Sequence, residues 1–262
     1  MSYYQPVEIA KLFADASKSK ADMPLIKFML FAILGGAFIA LGGLLTLVVA
    51  GGMPVTQEMN PGLVKFVAGA LFPVGLIMVC VAGADLFTSD CAGMTLSTMQ
   101  KKTSFLTLLK VWGLAYSFNF IGTQLIAYFM AYKTGIITST PYSDYLHTLA
   151  YSKLKYPWDT VIIKAIGANA LVCLGTWMGY AGKDIMGKAL GIWVPVMIFV
   201  TLGYEHSIAN MFFIPTAIYT GANITWSQFI IDNLIPATIG NIIGGALFVG
   251  AIYGYIYNKK ED

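Results

Sequence analysis

The chain has 262 residues, of which 57% are hydrophobic and only 11% are charged. Soluble globular proteins carry about 25% charged residues, so most of this surface cannot face water. All 16 positive side chains are lysines, and the formal net charge is +3. The charges fall in short clusters between apolar blocks, which indicates a polytopic helical protein of the lipid bilayer with no nucleic-acid partner.

Residues 1–25 contain Ile9, Phe13 and Ala16 at helical spacing among polar residues. They lack the continuous apolar core and the cleavage motif of a signal peptide. This pattern predicts a short amphipathic helix on the cytoplasmic membrane surface.

Six apolar blocks reach the length of about 20 residues that a membrane-spanning helix needs. They predict an all-α protein with a single transmembrane domain over residues 26–258 and a cytoplasmic tail at 259–262. The blocks cover residues 26–50, 62–96, 105–132, 158–180, 186–219 and 234–257.

Polar residues interrupt two of these blocks. Asp85 and Thr88 lie within the second block, and Glu205 and His206 lie within the fifth. A central Asp costs roughly 2.5–3.5 kcal/mol in the bilayer, and irregular backbone persists there only when it is buried in protein or lines a cavity. We therefore predict that the second and fifth helices are broken.

Two sequence patterns recur at nearly one offset. A Gly-x-acid pattern occurs at positions 83 and 203, and Asn-x-Ile-Gly occurs at positions 119 and 241. They predict a duplicated three-helix unit, over about 26–132 and 158–258, which must be inverted because each half has three spans. Paired broken helices in such repeats mark a substrate site.

The lysines also predict the orientation. Eleven of the 16 fall on the side of the N-terminal segment, the second-to-third loop, the fourth-to-fifth loop and the tail. By the positive-inside rule, both termini are cytoplasmic.

His206 is the strongest candidate for a residue that acts directly on the substrate. Desolvation favours the neutral imidazole, which can donate one hydrogen bond and accept another. In a narrow pore it can hold a permeating anion, or lend it a proton so that a neutral acid crosses. The alternative is a buried histidine that only fixes the loop, but intramembrane ionisable groups are usually functional.

The other polar residues at the breaks have two interpretations each. Glu205 and Asp85 are expected to hold the loops by accepting backbone N–H groups that the broken helices free. Thr88 either caps the helix that resumes or faces His206 across the pore. Lys153, in the loop before the fourth helix, is either solvated or concentrates anions at a vestibule.

Amides and apolar residues surround the breaks. Asn119 and Asn241 are predicted to hydrogen-bond across helices, and Asn169 and Asn210 are further amides in apolar blocks. The apolar residues near the breaks either pack as core or form constrictions that exclude hydrated ions. They are Phe72, Leu76, Leu86, Phe87 and Phe199. We find no metal-ligand, nucleotide or nucleophile motif, so we expect neither a metal nor another cofactor.

Three sequence strings resemble the formate/nitrite transporter family. They are Leu-Phe-Thr-Ser at 86–89, Glu-His-Ser-Ile-Ala-Asn-Met at 205–211 and Thr-Ile-Gly-Asn-Ile-Ile-Gly-Gly at 238–245. The resemblance implies an aquaporin-like protomer with its own pore, a homopentamer in the cell membrane, and transport of formate, nitrite, hydrosulfide or lactate. Residues 85–90 look most similar to the hydrosulfide-channel branch.

The resemblance also assigns residues to the pore. It implies that His206 and Thr88 face the substrate, that Asn169 lies beside them, and that Lys153 lies at the vestibule. We expect Asn210 to line the pore as well. The constrictions that it implies are Phe72, Leu76 and Phe199 on the cytoplasmic side and Leu86, Phe87 and Val172 on the outer side.

Two other classes of function remain open from the sequence. A pore for small neutral solutes is possible, although the paired Asn-Pro-Ala signature of aquaporins is missing. A membrane-embedded enzyme that uses His206 and Glu205 as acid and base is the second, and no nucleophile motif supports it. The residues also do not separate a channel from a proton-coupled carrier.

Overall fold

A computed structural model describes residues 3–257, and in that range the regular structure is helical apart from one isolated bridge between Tyr3 and Gly182. The helices are α1 (Pro6–Ala21), α2 (Leu25–Gly51), α3 (Pro54–Met59), α4 (Pro61–Gly83), α5 (Phe87–Met99), α6 (Phe105–Lys133), α7 (Tyr142–Leu154), α8 (Trp158–Ala181), α9 (Ile185–Thr201), α10 (Ser207–Tyr219) and α11 (Trp226–Tyr257).

Five of these helices, α2, α4, α6, α8 and α11, are long and apolar enough to span a membrane. The broken fifth span is made of α9 and α10, and α5 resumes the second span after the break that follows α4. The prediction of six spans with the second and fifth broken is confirmed. The predicted tail at 259–262 lies outside the described residues, and the domain boundaries stay a prediction.

The last span begins earlier than predicted. The apolar block suggested a start at 234, but α11 begins at Trp226. Thr225 caps this helix, and its hydroxyl and the Gln228 side chain bond to each other's backbone N–H groups. Asn233, in the part of this helix that precedes the predicted start, is buried inside the protein, so its amide does not face lipid.

Helix α7 was not predicted, and it changes the position of Lys153. Leu146 and Ala150 are fully buried on one face of α7, which packs on α2 and α10. The prediction of a loop here is wrong, because Lys153 lies in the last turn of this helix and is only 8% exposed.

Helix α1 packs on the protein. Ile9 and Phe13 are buried against α5 and α8, where Phe13 stacks on Tyr180 with ring centroids 4.9 Å apart. The amphipathic pattern is therefore satisfied by protein contacts. This packing brings the C-terminal end of α1 to the first break.

Glycines allow the spans of each half to approach closely. In the two Asn-x-Ile-Gly strings, Gly122 lies against the carbonyl of Ile33, and Gly244 lies against the carbonyl of Ile166. The first and third spans of each half therefore meet in the same way, as a duplicated unit requires.

The contact at Gly122 predicts a destabilised variant. A Cβ there overlaps the carbonyl oxygen of Ile33, and the backbone cannot move aside cheaply. We expect Gly122→Ala to lower the free energy of unfolding by about 1–3 kcal/mol, measured as a lower melting temperature of the purified protein. Gly113→Ala, in the same helix, is the control, since its Cβ meets nothing within 4 Å. Equal melting temperatures for the two variants would contradict the contact.

Candidate functional site

An asparagine holds the first break, between α4 and α5. The Asn119 Oδ1 accepts the Phe87 N–H at 2.9 Å. Its Nδ2 donates to the Asp85 carbonyl at 2.9 Å and to the Ala32 carbonyl at 2.6 Å. One buried side chain therefore bonds both sides of the break and the neighbouring helix α2.

Asn241 does the same at the second break, between α9 and α10. Its Oδ1 accepts the Ser207 N–H at 2.8 Å, and its Nδ2 donates to the Glu205 and Ala165 carbonyls, both at 2.9 Å. The predicted bonds of these two asparagines across helices are confirmed. Matching contacts at positions 119 and 241 give the two breaks the same shape.

His206 caps the second break with its own ring. The residue has extended backbone before α10, and its Nδ1 accepts the Ala209 N–H at 3.0 Å. The Nε2 lies 2.9 Å from the Thr88 Oγ1, and the side chain is only 2% exposed. Because Nδ1 is an acceptor here, the ring proton belongs on Nε2, and the imidazole is neutral.

Thr88 and His206 meet although they belong to different halves of the chain. The Thr88 carbonyl accepts the Asn169 Nδ2 at 3.0 Å, and the same Nδ2 donates to the Asn241 carbonyl at 2.7 Å. Asn169 therefore connects the first break to α11 from behind the Thr88–His206 pair. Its contact with the substrate stays a prediction.

On one side of His206 is a cavity of about 650 Å³, here called the Lys153 vestibule. Lys153, Lys164, Glu205 and Asn210 are among its lining residues. Four lysines and three acidic residues line the cavity, so its local charge is positive and attracts anions. Lys164 also lies 4.0 Å from the centroid of the Tyr156 ring.

Glu205 was expected to accept backbone N–H groups that the break frees. In the structure, side chains hold it instead. Its Oε2 accepts from Asn210 Nδ2 at 2.7 Å, Lys153 Nζ at 3.2 Å and Asn233 Nδ2 at 3.3 Å. Lys164 Nζ lies 3.9 Å from Oε1. The expected contact is wrong because Asn241 already bonds the Ser207 N–H at this break.

Beside His206 lies a narrow void that has no room for a water molecule, here called the dry segment. The rings of Phe72 and Phe199 meet edge to face at one end, with centroids 6.0 Å apart. Five of the predicted constriction residues line this void with His206. They are Phe72, Leu76, Leu86, Val172 and Phe199. The sixth, Phe87, packs on Tyr116 of α6, with centroids 4.9 Å apart.

The predicted sides of the constrictions are wrong. Phe72 and Phe199 line the same cavity as Lys153, which lies on the side predicted to be outer. Leu86 follows Asp85, whose carboxylate contacts the N-terminal helix, on the side predicted to be cytoplasmic. The sides of Phe72, Phe199 and Leu86 are exchanged because α4 starts at Pro61, on the Lys153 side, and reaches Phe72 before the break.

The opposite mouth contains a charged group that the sequence analysis missed, here called the Lys20 cluster (Lys20, Asp85 and Asp90). Lys20 Nζ lies 2.5 Å from Asp85 Oδ1 and 2.9 Å from Asp90 Oδ1. Asp85 was expected to accept backbone N–H groups, but it pairs with this ammonium. Burial lowers the pKa of Lys20, but attraction to Asp85 and Asp90 outweighs burial and raises this pKa well above its usual value.

The sequence held a weak signal for this cluster. Asp90 follows Asp85 by five residues, as Asn210 follows Glu205. Lys20, Lys164 and Asn233 had no signal of that kind. Within residues 3–257, no group of three or more His, Cys, Asp or Glu side chains is placed to hold a metal ion.

Comparison with known proteins gives consistent matches over nearly the whole chain. The family model described as "Formate/nitrite transporter" matches residues 7–255. A "Probable formate transporter" of Methanothermobacter thermautotrophicus is 42% identical, with 99% of each chain covered. Two solved structures are similar. An "FNT family ion channel" has a TM-score of 0.86 at 25% identity, covering 97% of this chain and 99% of its own. A "Pentameric formate channel with formate bound" has a TM-score of 0.78 at 31% identity, covering 90% and 98%.

Proposed function

Because this chain belongs to the formate/nitrite transporter family, we propose that it is a formate channel whose path runs from the Lys153 vestibule past His206 to the Lys20 cluster. The observation that carries this proposal is the Thr88–His206 pair. A polar contact of 2.9 Å lies beside an otherwise apolar, dry segment. Membership of a transporter family also sets aside the enzyme considered from His206 and Glu205.

The vestibule lysines and the dry segment contribute to anion selection in different ways. The lysines of the vestibule concentrate small anions before the narrow part of the path. The apolar walls of the dry segment exclude ions that keep their hydration shell. The His206 Nε2–H and the Thr88 hydroxyl replace part of that shell with two hydrogen-bond donors. A carboxylate of formate size accepts both.

The geometry favours hydrogen bonding of the anion over proton donation by His206. Its Nδ1 accepts the Ala209 N–H, so a second ring proton requires that this cap break. The neutral ring still offers Nε2–H to the anion. This supports a channel in preference to a carrier that takes its proton from this ring.

Further parts of the proposal rest on the family and on the lysine pattern. We propose a homopentamer, as in the pentameric relative, in the cell membrane with both termini cytoplasmic. We also propose a single channel domain over 26–258, in which Asn210 positions Glu205 at the vestibule.

Flux through proteoliposomes tests the function. We expect formate and nitrite to enter faster than chloride, and swelling in glycerol to match that of empty liposomes. Flux of hydrosulfide and of lactate is measured as well, because these two ions test which branch of the family the chain belongs to. Swelling in glycerol without formate flux would contradict the proposal and favour a neutral-solute pore.

A further inference from the structure

The two mouths of the path differ at one pair of equivalent positions. Five residues after the acid of each break stands Asn210 on one side and Asp90 on the other. The amide of Asn210 donates to Glu205. Asp90 instead places a second carboxylate next to Asp85, since the Oδ1 atoms of both lie within 2.9 Å of the same Lys20 Nζ.

The Lys20 cluster therefore has two carboxylates for one ammonium. Asp85 and Asp90 are each only 1% exposed, and each uses its Oδ1 on Lys20. The Oδ2 atoms of both have no hydrogen-bond partner among residues 3–257, and the Asp85 Oδ1 has only its ion pair with Lys20. Two buried carboxylates that share a site cannot both ionise without a large cost, so this arrangement favours the binding of one proton.

The surroundings do not offset the second negative charge. The titratable groups that interact with the cluster are a tyrosine and three cysteines, and both types are uncharged at neutral pH. They are Tyr180 and Cys173 on α8, Cys80 on α4 and Cys91 on α5. Lys188 on α9 interacts with Cys80. Helix α6 contributes the Trp112 Nε1–H, which bonds the Asp90 backbone carbonyl at 3.0 Å and not its carboxylate.

We propose that Asp85 and Asp90 form a proton-binding site that holds one proton near neutral pH, and that loss of this proton at high pH slows anion passage. A proton on one Oδ2 leaves the cluster neutral, since Lys20 balances the remaining carboxylate. Without the proton, the cluster carries one negative charge. Asp85 directly precedes Leu86 of the dry segment, so that charge repels anions at the mouth.

Infrared spectroscopy of the protein in lipid nanodiscs tests the proton site without any transport. We expect a carboxylic acid C=O band near neutral pH that disappears at high pH, and we expect Asp90→Asn to lack it. Asp85→Asn is a second variant with the same expected result. Asp15→Asn is the control, because Asp15 pairs with Lys102 on the surface, and it retains the band. Absence of the band from the unmodified protein would overturn the proposal, as would its survival in both cluster variants.

Formate flux over a pH series tests the consequence, which rests on the proposed function. We compare formate flux below and above the pH at which the band disappears. Across that range we expect flux of the unmodified protein to fall roughly tenfold more than flux of Asp90→Asn. Parallel pH profiles for the two proteins would overturn the link to transport. If the band is present but no formate flux is found, the proposed function fails and the proton site stands.

Discussion

Proteoliposomes with the His206→Asn variant are expected to take up formate roughly 10- to 100-fold more slowly than those with the unmodified protein, since a hydrogen bond to a charged group contributes about 1.5–3 kcal/mol. Asparagine is a good N-cap residue, so its side-chain oxygen can still accept the Ala209 N–H. Its shorter side chain withdraws the donor that lies 2.9 Å from Thr88. The break should therefore keep its shape while the anion loses a partner. The discrimination between formate and chloride should fall as well.

The chain offers a close control for this variant. His147 on α7 makes the same kind of contact, with its Nε2 2.9 Å from the Thr220 Oγ1, away from the dry segment. We expect His147→Asn to leave formate flux unchanged. Equal rates and equal ion preferences for His206→Asn and the unmodified protein would show that His206 only fixes the loop.

Replacing Asn241 by leucine is expected to cause a large loss of stability. The change removes the side-chain partner of two buried groups at the break, the Ser207 N–H and the Glu205 carbonyl. It also removes a second bond to the Ala165 carbonyl, which lies inside α8. Each unsatisfied buried group costs about 1–3 kcal/mol, and no water reaches the hydrocarbon region to replace the partner. We expect the free energy of unfolding to fall by about 3–6 kcal/mol, measured by denaturation with SDS in mixed micelles.

Two further variants interpret that result. Asn119→Leu should cause a similar loss, because Asn119 makes the matching bonds at the first break. Asn223→Leu, at an exposed loop position, should change stability little. A loss at Asn241 no larger than that at Asn223 would mean that the second break does not depend on this side chain.

The sequence was sufficient to predict the spans and the breaks. Apolar length set the spans, and acids in mid-membrane revealed the breaks at Asp85 and Glu205. The pairing of Thr88 with His206 was one of two open interpretations, and the resemblance favoured it. These predictions depended on local patterns or on a repeated offset, both of which can be seen in one chain.

What was missed depends on contacts between distant segments. Lys20 is 65 residues from Asp85, and nothing local indicates that α1 delivers it to the first break. Lys153 was expected in a loop because residues 142–154 mix polar and apolar types, but the helix that they form is stabilised by packing on α2 and α10. Phe87 was expected at a constriction, but its neighbour Leu86 faces the dry segment while Phe87 turns to Tyr116.

The asparagine contacts have a consequence for how the protein is made. The bonds from Asn119 and Asn241 to their own breaks join residues 32 to 36 positions apart, whereas Thr88 and His206 are 118 positions apart. Closing a short loop costs less entropy than closing a long one. The first half can therefore shape its break during membrane insertion before the second half is present, and the second half needs only its own residues to shape the other break. The polar pair of the path forms only when the halves dock, so an unfinished chain has no complete route through which the cell could leak ions.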